Sequence, residues 1–310
     1  MRLRQPGTPG HVALFYRDRA ECRDQILRFA RAGLARGEPT FIAVTADEAR
    51  RLGDQLADQP GELRCADMAD AGRNPARIIP ELQAFMDKHP GQHVRIAAEP
   101  AWPGRSAAEI CEVIRHEALI NLAFARARAT IMCAYDVTLL GPAVIASARR
   151  THPEHLAGGR RTAAPGPAHL WRIPPECDQP LPPPPDSAET LGYDTDLAPV
   201  RRLVERHARR ASLAAERVAD LILAASEIAA NTLSHTRSGG TFQVWHDEQE
   251  IFCQAHDQGW IADPLAGCVR RGPDGRGHGL FLVNHVCDLV EMRTGRAGTT
   301  VRMHMRLGPA

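Results

Sequence analysis

The sequence predicts an α/β protein in two parts, an N-terminal parallel sheet covered by helices and a C-terminal α/β sandwich. Three observations predict it. From His11 to about Leu156, short β-rich runs alternate with helical patterns, the order of a parallel sheet with helices on both faces. From Thr151 to Pro199, Gly158–Gly159, Pro165, Pro167, Pro174–Pro175, Pro180 and Pro182–Pro185 break all periodicity, as in a semi-rigid linker. Beyond it, two helical patterns lead into two hairpins with a glycine-rich loop and an apolar helix between them. The boundaries read as 10–156, 157–196 and 197–310, and a chain of 310 residues suits about two domains.

In the first part the candidate strands are His11–Tyr16, Thr40–Thr45, Leu63–Cys65, His93–Glu99 and Thr130–Asp136. Helical patterns fill Ala20–Arg36, Asp47–Gln59, Pro75–His89 and Ala107–Arg128, and Gly37–Glu38–Pro39 closes the first of them. Ligands of parallel sheets gather beyond the carboxyl ends of strands, where Tyr16, Thr45, Glu99 and Asp136 fall. His116 and Glu117 read as a packed or solvated pair on a helix, and Cys133 as a small core residue.

The second part is organised around one helix. From Ser212 to His235, apolar residues at Val218, Leu221, Ile222, Ala225, Ile228, Ala229 and Leu233 mark one buried face. Glu227 and Asn231 stand one turn apart beside it. Asn offers a hard oxygen to Mg²⁺, and Glu can polarise a hydroxyl or a water. Thr241–His246 and Glu250–Asp257 read as a hairpin ending in Asp257–Gln258–Gly259. Gly275–Arg276–Gly277–His278–Gly279–Leu280 then opens a helix to about Asp288, an arrangement that presents backbone N–H groups to phosphate oxygens. Leu289–Thr294 and Thr299–Leu307 complete a second hairpin. On the preceding helix, Val200–Arg210, His207 lies between Arg206 and Arg209 and reads as a surface residue.

This ordered set of E-x-x-x-N, D-x-G, G-x-G-x-G and a terminal G-T-T-V strand resembles the GHKL ATP-binding fold, in its short anti-sigma serine/threonine kinase branch. The resemblance implies Glu227 as general base and Asn231 as the Mg²⁺ ligand. It implies Asp257 on the adenine amino group, with Thr300 nearby. It further implies that His235, Gly259, Gly275, Arg276, Gly277, His278, Gly279 and Leu280 contact or enclose ATP. Ile261 departs from the pattern, standing where the family often has a second glycine. Two readings stay open: a kinase, or an ATP-dependent sequestering module without kinase chemistry.

The N-terminal part resembles the MEDS sensory domain, a RecA/KaiC-like fold. The residues that carry the resemblance are His11, Phe15–Tyr16, Gly33–Leu34, Gly37–Glu38, the run Glu99–Gly104, His116–Ala118 and Cys133–Asp136. It implies a sensing pocket with His11, Tyr16, Glu99, Trp102 and Asp136 as candidates. Together the two resemblances imply an anti-sigma regulator of partner-switching type using ATP and Mg²⁺. Its expected partners are a sigma factor and an anti-anti-sigma protein of the STAS class, with a homodimer expected by analogy.

Composition narrows the alternatives. A net charge of +1 gives no general attraction to nucleic acid or to acidic membranes, which argues against a DNA-binding factor. No glycine-rich loop ends in Lys-Ser/Thr, so there is no Walker A loop. No apolar run approaches the ~18 residues of a membrane span. Met1–Gly10 has no apolar run of the secretory kind. The eight cysteines show no C-x-x-C and no Cys/His metal spacing. A cytoplasmic protein with reduced thiols is the expectation.

Overall fold

The computed structural model describes residues 10–164, 172–236, 238–268 and 278–308. They form two compact units that divide after Cys177.

The first unit is built on a seven-stranded sheet, ordered β3-β2-β4-β5-β1-β6-β7. Its strands are β1 Gly10–Tyr16, β2 Thr40–Val44, β3 Leu63–Asp67, β4 Val94–Ala98, β5 Ala129–Asp136, β6 Glu154–Ala157 and β7 Arg160–Ala163. All neighbours pair in parallel except β6 and β7. The helices are α1 Arg19–Leu34, α2 Ala46–Leu56, α3 Met68–Ala71, α4 Ile78–Asp87, α5 Ala107–Ala123 and α6 Pro142–Thr151. Every residue of β1 and β2 is buried, as strands covered on both faces require. Side chains alternate, so Leu14 and Tyr16 of β1 join Met132 and Ala134 of β5 in a core with Ile26, Leu27, Leu52 and Leu56. His11 points to the opposite face, toward Glu117 and Asn121 of α5.

The last strand read from the sequence ends at Asp136, but the unit adds a helix and two more strands beyond it. Pro142 stands in the first turn of α6, where its missing N–H costs nothing. Gly158 and Gly159, read above as breakers, take left-handed φ values of 54° and 72°. That is the conformation a two-residue hairpin turn needs, and it joins β6 to β7.

The second unit holds a five-stranded sheet ordered β11-β12-β10-β9-β8, with every pair antiparallel. Its strands are β8 Glu189–Tyr193, β9 Gly240–His246, β10 Glu250–Asp257, β11 Leu289–Gly295 and β12 Gly298–Arg306. The helices α7 Ala198–Arg210, α8 Ala215–His235 and α9 His278–Val286 pack on one face. There Val204, Leu221, Ala225 and Ile228 meet Phe242, Val244, Ile251, Cys253, Val301 and Met303 in one core.

The proline-rich stretch is therefore more than a spacer. Arg115 donates to the Cys177 carbonyl and Ser147 to Glu176, which ties residues 176–177 to α5 and α6. In the second unit Arg293 donates to the Gln179 carbonyl at 3.1 Å and Arg302 to the Pro182 carbonyl at 2.5 Å. Both arginines lie on the sheet face away from the helices, so the prolines cross that face; extended proline-rich backbone leaves its carbonyls open to such donors. Beyond it, Glu189–Tyr193 adds the edge strand β8. Leu170 and Trp171 of the short apolar run Leu170–Ile173 lie outside the described residues. His207 departs from its expected surface position: it is 7% exposed and bonded to Glu189 of β8 at 2.9 Å. The strand that covers it falls within the supposed linker.

On the outer face of the same sheet, His304 sits between Glu250 and Glu291 at 3.1 and 3.0 Å. Burial alone would lower its pKa, but the two carboxylates outweigh burial and raise it above 6.5. The stability this gives is complete below the unfolded value of 6.5 and is lost as pH rises through the raised folded value. Urea unfolding across pH should show the advantage of the wild type over His304→Gln shrinking on the alkaline side.

Candidate functional site

In the second unit a cavity of about 490 Å³ opens between α8, the end of β10 and the start of α9. Its size falls in the range of small-molecule sites. Asn231, His235, Asp257, Gly259 and Leu280, all singled out by sequence, line it. Trp260, Ile261, Ala262, Asp263, Ala266, Gly267 and Thr299 complete the wall. Trp260 is 73% exposed and stands at the rim.

Asp257 is held at the end of β10 by two donors. The Gly259 N–H donates to Oδ1 at 2.7 Å and the Thr232 hydroxyl to Oδ2 at 2.6 Å. A carboxylate has about four lone-pair sites, so two bonds fix its direction and leave acceptor capacity toward the cavity. The strand opposite must come very close: a Cβ at Gly298, where φ is 108°, would lie 2.0 Å from the Asp257 carbonyl oxygen. Only glycine fits there.

Glu227 sits beneath the first turn of α9. A Cβ at Gly279 would meet Glu227 Oε2 at 2.6 Å and Asn231 Nδ2 at 3.5 Å, so this glycine lets α9 close onto the Glu–Asn pair. Glu227 and Gly279 thus meet beside Asn231, which lines the cavity, and His278 is the first residue of α9. Gly275, Arg276 and Gly277 lie outside the described residues.

Thr300 is not in the cavity. In the antiparallel register Asp257 faces Thr299 and His256 faces Thr300. Because successive side chains point to opposite faces, Thr299 enters the site and bonds the Gly259 carbonyl at 2.9 Å. Thr300 bonds His256 on the other face, at 3.0 Å. One residue of register separates the expectation from the outcome. Thr232 was also missed, although it follows Asn231 directly and turns toward the sheet. At Ile261 the backbone N–H donates to Thr294 at 3.0 Å, so this position braces the loop against β11.

In the first unit the five candidate pocket residues do not share one pocket. Tyr16 and Glu99 meet: the phenol donates to Glu99 Oε1 at 2.5 Å, and Arg19 donates to both carboxylate oxygens at 2.6 and 2.7 Å. Burial and the neighbouring carboxylate push the Tyr16 phenol far up. Asp136 pairs with Tyr16 across β1 and β5, but its Oδ1 accepts from Thr138 and Leu139 and so builds a turn. Trp102 lies under the Arg105 guanidinium at 3.7 Å, and Arg105 itself is anchored on the Gly72 carbonyl. His11 is on the opposite face of the sheet, in a buried group with Glu117, Cys133 and His152. Burial, followed by the charge of neighbouring His11, lowers the His152 imidazole to about 4. No sequence spacing announced that group, because its members stand in four separate elements.

A mixed α/β unit whose helix-borne Asn231 and strand-end Asp257 share one cavity, with Glu227 one turn from the Asn, has the design of a nucleotide-binding domain. Residues 193–305 match the family model of the histidine kinase-like ATPase domain. Residues 10–153 match the model of MEDS, the MEthanogen/methylotroph, DcmR Sensory domain. The chain thus joins a MEDS sensory domain to a histidine kinase-like ATPase domain, and ATP is the ligand that the second domain implies. No curated protein matches the chain. No helix among the described residues is long and apolar enough to cross a membrane.

Proposed function

We propose that the chain is an anti-sigma regulator of the partner-switching type, whose ATPase domain works as a protein serine/threonine kinase under control of the MEDS domain. The observation that carries the reading is that Asn231 and Asp257 line one cavity beside α9, while Glu227, one turn from Asn231, lies against Gly279 in the first turn of α9. Asp257 suits the amino edge of adenine. Asn231 presents a hard amide oxygen in the cavity wall, which fits a Mg²⁺ ion held mainly by phosphates and water. Bound there, the ion would neutralise charge on the phosphates. Glu227, one turn earlier, would orient or deprotonate an incoming hydroxyl. The acceptor of the phosphoryl group would be a serine or threonine of a STAS-class anti-anti-sigma protein, and the sequestered partner a sigma factor.

Ile261 favours the second reading, in which ATP only orders the partner surface. Glu227→Gln separates the two. In a kinase it is expected to cut phosphotransfer by about a hundredfold or more while leaving ATP affinity within a few-fold, the size of a general-base contribution. In a pure binding module, partner capture in the presence of ATP should be unchanged by the substitution and no phosphotransfer should be detected in either form.

A further inference from the structure

The group around His11 has a conflict that a metal ion would resolve. His11 on β1, Glu117 on α5, Cys133 on β5 and His152 after α6 are all buried, and their ligand atoms lie within 4.8 Å of one another. Both ring orientations are fixed from outside. Asn121 spends its Nδ2 on the Glu117, Ala118 and Thr151 carbonyls, so its Oδ1 faces His11 Nδ1 at 3.0 Å as an acceptor. The Ala148 carbonyl accepts from His152 Nδ1 at 2.8 Å. With both Nδ1 atoms as donors, neutral rings turn bare Nε2 lone pairs inward.

Those lone pairs point at a carboxylate. His11 Nε2 is 3.1 Å and His152 Nε2 3.0 Å from the same oxygen, Glu117 Oε2. Cys133 Sγ lies 3.6 Å from His11 Nε2. His152 is fully buried, and its Nε2 faces Glu117 without the geometry of a hydrogen bond. Protonating both rings would stack two cations at a centroid distance of 3.9 Å against a single carboxylate. A divalent cation instead satisfies all four atoms. A tetrahedral ion with bonds of about 2.0–2.3 Å has edges of about 3.3–3.7 Å, so separations of 3.0, 3.1 and 3.6 Å are near the required length and none, all being within 4.8 Å, must close by more than about 1 Å.

We propose that His11, Glu117, Cys133 and His152 form a closed, four-ligand site for a divalent transition metal of the zinc class. Two imidazoles, a thiolate and a carboxylate are the donors of a borderline-soft ion and are unsuited to Mg²⁺ or Ca²⁺. Binding releases the Cys133 thiol proton to solvent and forms the metal–sulfur bond. Asn121 and the Ala148 carbonyl act as outer partners that set the tautomers. With four protein ligands and no accessible face, the ion ties β1, β5, α5 and the end of α6 together inside the MEDS domain. This site is independent of the ATP cavity and of the function proposed for it.

Cobalt substitution of the full-length chain tests it. The chain, stripped with a chelator and titrated with Co²⁺, is expected to take up about one equivalent with tetrahedral d–d bands and an ultraviolet thiolate-to-cobalt band. Zn²⁺ should displace it and raise the thermal midpoint. In Cys133→Ser the thiolate band should vanish, and in Glu117→Gln the affinity should fall at least about tenfold. His246→Gln, on an exposed strand residue, should change neither. Absence of Co²⁺ and Zn²⁺ uptake by a chain with a native circular dichroism spectrum would overturn the proposal. So would a thiolate band that survives in Cys133→Ser, which would locate the ion at another cysteine.

Discussion

Asp257→Ala is expected to weaken ATP binding by about ten- to a hundredfold, the worth of a hydrogen bond to a charged group. The carboxylate is aimed by the Gly259 N–H and the Thr232 hydroxyl, so its direction does not have to be organised when the base arrives. Specificity should change as well. The adenine amino group donates where guanine presents a carbonyl oxygen, and an acceptor set against an acceptor is repelled. Asp257→Asn supplies an amide that can donate, so it should narrow the preference for ATP over GTP. Thr232→Val should reproduce part of the loss by freeing the carboxylate. Thr300→Val should have no effect, since Thr300 lies on the opposite face of the sheet. Competition between labelled ATP and GTP measures all four.

The second large effect concerns stability. Arg217 of α8 donates to Asp288 Oδ2 in a close ion pair, and Asp288 is 2% exposed. The Arg306 N–H also donates to that oxygen, at 2.8 Å. Arg217→Met is expected to destabilise the second unit by about 3–5 kcal/mol, because it takes a close guanidinium away from a buried carboxylate. The double change Arg217→Met with Asp288→Asn should recover a good part of this, since no charge then remains. Urea unfolding followed by the fluorescence of Trp245, on β9 at the outer face of that unit's sheet, reads the difference. A loss below about 1 kcal/mol, the value of an exposed pair, would show that solvent reaches Asp288.

How much of this was legible depended on how local each signal was. The helix periodicity around Glu227 and Asn231 and the strand end at Asp257 depend on neighbours a few residues away, and the folded chain places them as read. Thr299 and Thr300 show the limit, because a one-residue change in register reverses which face a side chain takes. The proline-rich stretch is harder to read for a different reason. Proline excludes helix and central strand, but it does not prevent carbonyls from meeting arginines such as Arg293 and Arg302, which stand more than a hundred residues later in the chain. Likewise His11 and His152 meet only because β1 pairs with β5 beneath α5 and α6. A metal motif in consecutive residues would have shown itself, whereas one assembled from four elements could not.

The most direct test of the central claim is a calorimetric titration of the full-length chain and its Asn231→Ala form with ATP, with and without Mg²⁺. The account predicts micromolar binding strengthened by Mg²⁺ in the wild type, and loss of that Mg²⁺ dependence in the variant. Equal affinity of the two proteins under both conditions, or no binding by a folded wild-type chain, would contradict it.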